Sequence, residues 1–310
     1  MAHRFRFGVS ASRARSRADW IALAKRIEGL GYDTLLMADH FGPRFAIAPA
    51  LVLAAQAVPT LRVASLVYDN DFRHPALLAQ EIATIDILTD GRFDFGIGAG
   101  WLKQEYDAAG LPFDRGRVRV DRLQEALAVI ADLLTGKPVT YAGTHYRFNA
   151  LTSAATPVQQ PSPPLLLGGG GRRLLSLAAE RADIISVMPR ARRDGSGLED
   201  ADASEDAFVE KVGWIRERAG ERFERIVLNT LVQTVTITDD PSAEAQRLVS
   251  DWRLPATELL ASPLLLIGSV ERIAQTLVER RDRLGISYIT VFEKDLEALA
   301  PVIERLRTSP

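Results

Sequence analysis

The stretch Pro163–Val187, PPLLLGGGGRRLLSLAAERADIISV, decides the fold because it holds one complete strand–helix–strand repeat. A short apolar run is followed by four glycines, by a helical pattern over Arg172–Arg181 and by a second apolar run over Asp183–Val187. Short runs rich in Val, Ile, Leu and Phe are typical of parallel strands that are buried on both faces. The repeat therefore predicts two neighbouring parallel strands joined by a helix.

The same alternation recurs along the chain. It predicts eight strands, at Phe5–Val9, Thr34–Ala38, Leu61–Val67, Phe93–Ile97, Pro164–Leu167, Asp183–Val187, Ile226–Ile237 and Tyr288–Phe292. Helical patterns lie between and after them, at Arg17–Leu30, Ala46–Ala57, Pro75–Leu88, Arg117–Leu134, Arg172–Arg181, Glu205–Ala219, Ser242–Asp251, Val270–Leu284 and Leu296–Leu306. These repeats favour an α/β fold, a single (β/α)8 TIM barrel over residues 1–310. An open doubly wound sheet could hold the same elements.

Three stretches interrupt the alternation. Val139–Pro163 is too long for a simple connection, so we expect an insertion or lid near the barrel mouth, at the C-terminal ends of the strands. Arg190–Ser204 is polar and contains glycine, which predicts a mobile loop. Its arginines, Arg190, Arg192 and Arg193, belong either to an ordinary solvated loop or to a patch for an acidic ligand. Leu254–Ser269 is irregular.

Composition restricts the classes of function. The chain has 310 residues, no cysteine and a net charge of −2. Disulfides, thiolate nucleophiles and Cys-ligated metals are therefore excluded. No basic stripe indicates nucleic acid, and no apolar run reaches the ~20 residues of a membrane helix. The N-terminus carries no signal-peptide pattern, so we expect a cytoplasmic protein whose partner is a small-molecule substrate.

The glycine run Gly168, Gly169, Gly170 and Gly171 is the strongest sign of a ligand site. Glycines between a buried strand and a helix leave backbone N–H groups uncovered at the helix N-terminus, which suits a phosphate. Arg172 adds positive charge. The alternative is a tight turn that needs a positive φ, and a single glycine would satisfy that requirement.

Other candidates follow the remaining strands, where barrel chemistry collects. His40 is a candidate acid–base group because imidazole titrates near neutrality, and its alternative is a satisfied structural histidine. Asp39 beside it serves a ligand, caps a helix or forms a loop salt bridge. Gly98 and Gly100, in GIGAG, allow close approach to a planar ligand or form a thin barrel corner. Glu105 is expected to lie on the solvated face of a helical turn. The four histidines are too scattered for a metal-dependent hydrolase, so no metal is expected.

Several motifs together resemble the luciferase-like monooxygenase superfamily. They are ADHF at 38–41, DNDFRHPALLAQEIATIDILTDGRFDFGIGAGW at 69–101, the opening stretch at 163–187 and LLLIGSVERIAQTLVERRDRLGISYITVF at 264–292. They look closest to the actinobacterial branch of coenzyme F420-dependent oxidoreductases. The resemblance covers nearly the whole chain, and it is more specific for the superfamily than for the cofactor or the substrate.

The resemblance implies a deazaflavin, coenzyme F420, or alternatively FMN, lying across the strand ends with its phosphate on Gly169–Arg172. It implies a non-proline cis peptide after strand 3, matched here by the bond between Ser65 and Leu66, with His40 as the catalytic residue at the ring. Asp39 and Asn70 match neighbours of the cofactor, while Tyr68 and Trp101 would wall the substrate pocket. Such proteins are commonly dimers, and the apolar helix faces would allow a homodimer.

Three functions follow from these observations. The first is an F420-dependent oxidoreductase that transfers hydride to or from cofactor C5. The second is a monooxygenase that uses reduced FMN and oxygen, and the third is a non-catalytic cofactor-binding paralogue. Sugar-phosphate dehydrogenases of the superfamily carry a catalytic glutamate just after the strand-4 glycines. This chain has Trp101 near there and Glu105 further on, so sugar-phosphate oxidation is not assigned.

Overall fold

A computed structural model describes residues 3–152 and 155–308. Its strands are β1 (Arg6–Ser10), β2 (Thr34–Met37), β3 (Arg62–Ser65), β4 (Tyr68–Asp69), β5 (Phe93–Gly98), β6 (Val139–Ala142), β7 (Arg147–Leu151), β8 (Leu165–Gly169), β9 (Ile184–Val187), β10 (Val227–Val232), β11 (Thr234–Ile237), β12 (Leu265–Gly268) and β13 (Ile286–Phe292). Its helices are α1 (Arg17–Gly29), α2 (Ile47–Ala57), α3 (Pro75–Leu88), α4 (Lys103–Ala109), α5 (Gly116–Leu133), α6 (Arg172–Arg181), α7 (Glu205–Ala219), α8 (Pro241–Trp252), α9 (Ala256–Ala261), α10 (Val270–Leu284) and α11 (Leu296–Thr308).

Eight of the strands form a closed parallel barrel. The ring runs β1, β2, β3, β5, β8, β9, β10 and β13, and β13 pairs with β1 again. The pairing of β3 with β5 closes the seam, with Val63 opposite Phe93. The TIM barrel predicted from the sequence is thus confirmed, and the open sheet is excluded. Among the described residues, no helix combines the length and the apolarity needed to cross a membrane.

Local sequence explains where the helices begin and end. Ser16 caps α1 by accepting the backbone N–H of Asp19 at 3.1 Å, and Ser269 caps α10 in the same way. Pro75 occupies the first turn of α3, where a missing N–H costs little. Gly285 ends α10 with a φ of +81°, a left-handed conformation that favours glycine. These residues fix where each helix begins or ends, and the helices pack outside the ring of strands.

A charged cluster closes the barrel at the N-terminal ends of its strands. The Asp94 carboxylate pairs with the Arg6 guanidinium through one oxygen and with Arg62, at 2.6 Å, through the other. Arg6 also donates to the Thr34 hydroxyl at 3.0 Å and lies 4.4 Å from the centre of the Tyr288 ring. The interior is thus filled at this end, which leaves the opposite end as the mouth where a ligand can enter.

Two predicted segments differ from the structure near the seventh strand. The predicted strand Ile226–Ile237 divides into β10, which stays in the barrel, and β11, which leaves it and pairs with β12. β12 and α9 both lie within Leu254–Ser269, which was predicted to be irregular. The apolar run continues through both halves of the predicted strand, and the partner of β11 is distant in sequence, so periodicity could not reveal the division.

The predicted insertion at 139–163 is only partly at the mouth. β6 and β7 form an antiparallel hairpin whose turn is held by the Glu125 carboxylate, which accepts the backbone N–H of Thr144 and of His145 at 2.9 Å. Residues 153 and 154 lie outside the described part. Gln159 then hydrogen-bonds Asp86, in the last turn of α3, at the closed end of the barrel. The segment therefore runs along the side of the barrel, because its hairpin turn is bound to the middle of α5 and its last part lies at the closed end.

The loop over 190–204, predicted to be mobile, is tied to the barrel by one buried carboxylate. Asp202 accepts the Arg190 backbone N–H at 2.6 Å and pairs with the fully buried Lys211 ammonium at 2.6 Å. Arg192 also pairs with Asp200, at 3.0 Å. Farther along the loop, the Gly195 carbonyl accepts the Lys103 N–H at 3.1 Å. The loop thus reaches across to the start of α4.

Glycines in β5 and β8 let the chain after β3 enter the barrel. A Cβ on Gly96 would overlap the carbonyl oxygen of Ser65, and one on Gly98 would lie 2.8 Å from Val67 Cγ2. The Ser65 hydroxyl donates to the Gly96 carbonyl and accepts the Gly96 N–H, both at 2.8 Å. GIGAG is therefore a place of close approach, and the group that approaches is the chain's own Ser65–Val67 segment.

Replacing Gly96 should damage the fold more than replacing a glycine in open space. Gly96→Ala is expected to lower the free energy of unfolding by about 2–3 kcal/mol, because the new methyl group overpacks against the Ser65 backbone. Gly213→Ala, inside α7 with no atom within 4 Å, is the matched control and should leave stability unchanged or raise it. Urea unfolding measures both. Equal stability of the two variants would contradict the packing described here.

Breaking the buried ion pair should free the 190–204 loop. Lys211→Met leaves Asp202 without its closest charge partner, which is expected to cost about 3 kcal/mol and to raise hydrogen exchange across the loop. Lys25→Met, at an exposed position of α1, is the control. Exchange that stays at the wild-type level in Lys211→Met would show that Asp202 does not anchor the loop.

Candidate active site

The site begins with a hydrogen-bonded pair at the barrel mouth. His40 follows β2, and its Nδ1 lies 2.8 Å from Oε2 of Glu105 in α4. Both side chains are partly exposed, at 23% and 16%. A carboxylate only accepts hydrogen bonds, so Nδ1 carries a proton in this contact, and Nε2 has no hydrogen-bond partner among the described residues. The Trp101 ring stands edge-on to the imidazole, with their centroids 6.1 Å apart. These three groups form one wall of the mouth.

Asp39 forms the salt bridge that was one of its predicted alternatives. Its carboxylate pairs with Arg73, and Oδ2 also accepts the Asp69 backbone N–H at 3.1 Å. Arg73 lies 3.7 Å from Glu81 as well. Asp39 therefore joins the end of β2 to the chain that follows β3, and it holds the backbone beside His40.

Asp69 is the most perturbed carboxyl group near the mouth. Only 8% of the residue is exposed, and burial raises the pKa of its carboxyl group to about 7, although hydrogen bonds from the Asp71 N–H and the Tyr106 hydroxyl oppose the rise. Both Asp69 oxygens lie 2.9 Å from Tyr106 Oη. A carboxyl group that titrates near neutrality is a feature of functional sites, so the cluster is part of the candidate site.

The floor of the mouth is the segment that crosses from β3 into the barrel. Leu66 and Val67 are partly exposed there, and Val67 lies over Gly98 and Gly168, where a Cβ on Gly168 would lie 3.4 Å from Val67 Cγ1. The non-proline cis peptide joins Leu66 to Val67, so the expectation of a cis bond between Ser65 and Leu66 was wrong by one residue. The reason is that Ser65 still belongs to β3, where it pairs with Met37, and the chain leaves the strand only afterwards.

The glycine loop lies across the mouth from His40. β8 runs into the glycines as far as Gly169, and Gly171 begins α6 without any side chain to cap it. A Cβ on Gly170 would overlap the backbone of Met188 and Pro189, whereas one on Gly171 would meet nothing within 4 Å. None of the four glycines has a positive φ, so the tight-turn alternative does not explain them. What the run supplies is an open helix N-terminus.

The Arg172 side chain points away from this loop. Its guanidinium lies 3.7 Å from Glu217 and 5.7 Å from the centre of the Trp214 ring, both in α7. The neighbouring Arg173 pairs with Asp121 in α5. Positive potential at the loop therefore comes from the N–H groups of the helix, more than from these two side chains.

Three predicted site residues are too buried to meet a ligand. Ser65 and Tyr68 have no exposed surface, and Asn70 has 1%. The Ser65 hydroxyl is used by Gly96, and the Tyr68 hydroxyl donates to Glu81 in α3 at 2.7 Å, so Tyr68 faces the outer helix layer and not the pocket. Asn70 donates to Tyr146 of the hairpin at 3.3 Å. The chain turns outward after Val67, which is why the Tyr68 and Asn70 side chains leave the mouth.

Glu105 is the site residue that the sequence reading missed. It was expected on a solvated helical face, yet it is the hydrogen-bond partner of His40, 65 positions earlier in the chain. One signal could have found it: α4 begins directly after the glycines at the end of β5, so its first turn must lie at the mouth.

Known proteins are similar to this chain in sequence and in fold. A family model described as luciferase-like monooxygenase matches residues 1–283. An F420-dependent glucose-6-phosphate dehydrogenase of Beutenbergia cavernae is 35% identical over 150 residues, which is 46% of this chain and 44% of that protein. An FMNH2-dependent dimethylsulfone monooxygenase of Pseudomonas putida is 29% identical over 170 residues, 50% of this chain and 46% of that one. The chain thus spans about half the length of the curated relatives it matches.

A solved structure supports the fold along the whole chain. The coenzyme F420-dependent tetrahydromethanopterin reductase of Methanopyrus kandleri superposes with a TM-score of 0.77 over 98% of this chain and 99% of the other, at 18% identity. The fold and the family resemblance inferred from the sequence are both confirmed, and the relatives named above are enzymes. With the family model matching residues 1–283 of 310, this chain belongs to the luciferase-like monooxygenase family.

Proposed function

We propose that this protein is a coenzyme F420-dependent oxidoreductase that transfers hydride between C5 of the deazaflavin and a small organic substrate at the barrel mouth. The observation that carries the proposal is the open N-terminus of α6, which lies across the mouth from His40. In the ring of strands, β3 and β5 separate β2 from β8. A ligand that reaches from α6 to His40 therefore passes over Leu66 and Val67.

The described residues fit such a cofactor. The N–H groups of the first turn of α6 are free of any side-chain cap and would hold its phosphate, with Gly168, Gly169 and Gly171 partly exposed beside them. Leu66 and Val67 offer an apolar floor to a planar ring. Gly98 is buried under Val67, so its contribution is to support that floor. When bound, the cofactor would supply the hydride chemistry, and the protein supplies position and electrostatics.

The remaining side chains would act on the substrate. His40 would exchange the proton that accompanies hydride transfer through Nε2, because Glu105 keeps Nδ1 occupied. Trp101, partly exposed beside His40, would limit the space available to the substrate. Asp39 would hold the backbone of this segment through Arg73 and Asp69.

A monooxygenase that uses reduced FMN is the second candidate, favoured by the dimethylsulfone monooxygenase relative. An open helix N-terminus would accept the phosphate of FMN as well as that of F420. The two candidates differ in their need for oxygen, since the deazaflavin does not form the oxygen adduct that monooxygenation requires. The F420-dependent glucose-6-phosphate dehydrogenase relative favours the first candidate.

A carboxylate placed at Gly171 should separate binding from folding. We expect Gly171→Asp to bind F420 at least about tenfold more weakly, because the new side chain caps α6 and repels the phosphate. The same cap should leave thermal stability equal or higher. Gly171→Ala keeps the N–H groups free and is the control. Fluorescence titration with F420, and separately with FMN, measures the affinities. Unchanged binding by Gly171→Asp would refute the phosphate site, and a preference for FMN would favour the second candidate.

Turnover should depend on both members of the His40–Glu105 pair. His40→Ala is expected to lower kcat by about 100-fold, in the range of general acid–base catalysis, with the F420 dissociation constant nearly unchanged. Glu105→Gln should lower kcat less, by about tenfold, because an amide can still hold the ring but can also present the wrong hydrogen-bonding group. His145→Ala, in the hairpin, is the control. Full turnover by His40→Ala would show that another group handles the proton.

A further inference from the structure

Tyr106 and Asp69 form a buried contact directly beneath the catalytic pair. Tyr106 follows Glu105 in α4, and its hydroxyl lies 2.9 Å from both oxygens of Asp69 and 3.2 Å from Oδ2 of Asp71. Tyr106 has 1% of its surface exposed, so water does not compete for these contacts. Among the residues described, α4 makes one polar contact with the loop after β2, the bond between Glu105 and His40.

The backbone around this contact is shaped to admit it. Gly100 has a φ of +74°, and a Cβ there would overlap the Tyr106 hydroxyl and lie 2.6 Å from Asp69 Oδ2. The Asp69 backbone N–H is meanwhile bound to Asp39, the neighbour of His40. The contact therefore connects three segments of the mouth: the residues that follow β2, the end of β4 and α4.

We infer that Asp69 and Tyr106 are positioning residues for His40, acting through Glu105, and that they hold α4 most firmly when Asp69 is an ionised carboxylate. The inference rests on the proposed function, since it concerns the rate of that reaction. Neither residue would touch the substrate, because both are buried.

The hydrogen bonds of the cluster explain the preferred state. The Tyr106 hydroxyl and the Asp71 backbone N–H both donate to Asp69, at 2.9 Å. Hydrogen bonds to a carboxylate are stronger than those to a neutral acid, so ionisation of Asp69 tightens the contact with Tyr106. No cation pairs with Asp69 among the described residues, because Arg73 is paired with Asp39 and Arg122 with Asp71, the latter at 2.8 Å.

The charged surroundings make ionisation unfavourable. Five titratable and charged groups in the described part of the chain face the pair. They are Asp39 just after β2, Asp71 just after β4, Arg73 just before α3, and Arg119 and Arg122 from α5. Burial is the main cause of the raised pKa of Asp69, and the carboxylates of Asp71 and Asp39 raise it further. As pH rises through about 7, Asp69 ionises and the hydrogen bond that it accepts from Tyr106 of α4 strengthens.

The pH dependence of kcat tests the inference in the F420-loaded enzyme. Wild-type kcat is expected to rise as pH rises through about 7, the pKa of Asp69. Asp69→Asn never ionises, so this rise should disappear. Tyr106→Phe should lower kcat by about tenfold, since small misplacements of catalytic groups cost up to ~100-fold, while leaving the F420 dissociation constant unchanged. Tyr32→Phe, a buried hydroxyl bound to the Leu296 carbonyl, is the matched control.

A second measurement needs no cofactor. The chain has four histidines, so imidazole NMR signals can be resolved and His40 identified by its loss in His40→Ala. Tyr106→Phe should displace the His40 signal, and Tyr32→Phe should not. A His40 signal unmoved in Tyr106→Phe, or a kcat profile of Asp69→Asn that superimposes on the wild type, would overturn the inference. Failure to bind F420 with a displaced His40 signal would instead refute the proposed function and keep the positioning role.

Discussion

The close packing of the Ser65–Val67 segment against the glycines of β5 and β8 is the constraint on which the mouth depends. With no side chains at Gly96 and Gly98, the chain leaving β3 can bend into the barrel, where the Ser65 hydroxyl binds both backbone groups of Gly96. This contact follows the short pairing of β3 with β5, which ends at Ala64 and Asp94, and it places Val67 over the interior. The apolar floor is therefore a product of backbone packing, which makes it rigid.

The course of the Ser65–Val67 segment also determines which residues form the two walls of the mouth. Because the segment turns outward after Val67, the Asp69 carboxyl group contacts the Tyr106 hydroxyl of α4. The backbone N–H of Asp69 donates to Asp39, just after β2. α4 then presents Glu105 to His40. On the far side, β8 continues through Gly169 and leaves the first turn of α6 uncapped. The uncapped N-terminus of α6 and the His40 imidazole are thus held on opposite sides of one apolar floor, the arrangement on which the proposed cofactor site rests.

Local signals in the sequence predicted most of the barrel. Strands and helices were recognisable because buried runs, caps and glycines act over a few residues, as at Pro75 and Gly285. The pairing of β11 with β12 and the bond between His40 and Glu105 join distant parts of the chain, so spacing alone could not show them. Tyr68 was misassigned to the pocket because a bend after Val67, invisible in the alternation of residues, turns it toward Glu81.

The central claim is that a cofactor lies on the Leu66–Val67 floor with its phosphate on α6. A crystal structure of the protein with oxidised F420 tests it most directly. The account predicts phosphate oxygens within hydrogen-bond distance of the N–H groups of the first turn of α6, and the deazaflavin ring in contact with Leu66 and Val67 beside His40. A phosphate bound elsewhere, or a ring that leaves this floor uncovered, would contradict it.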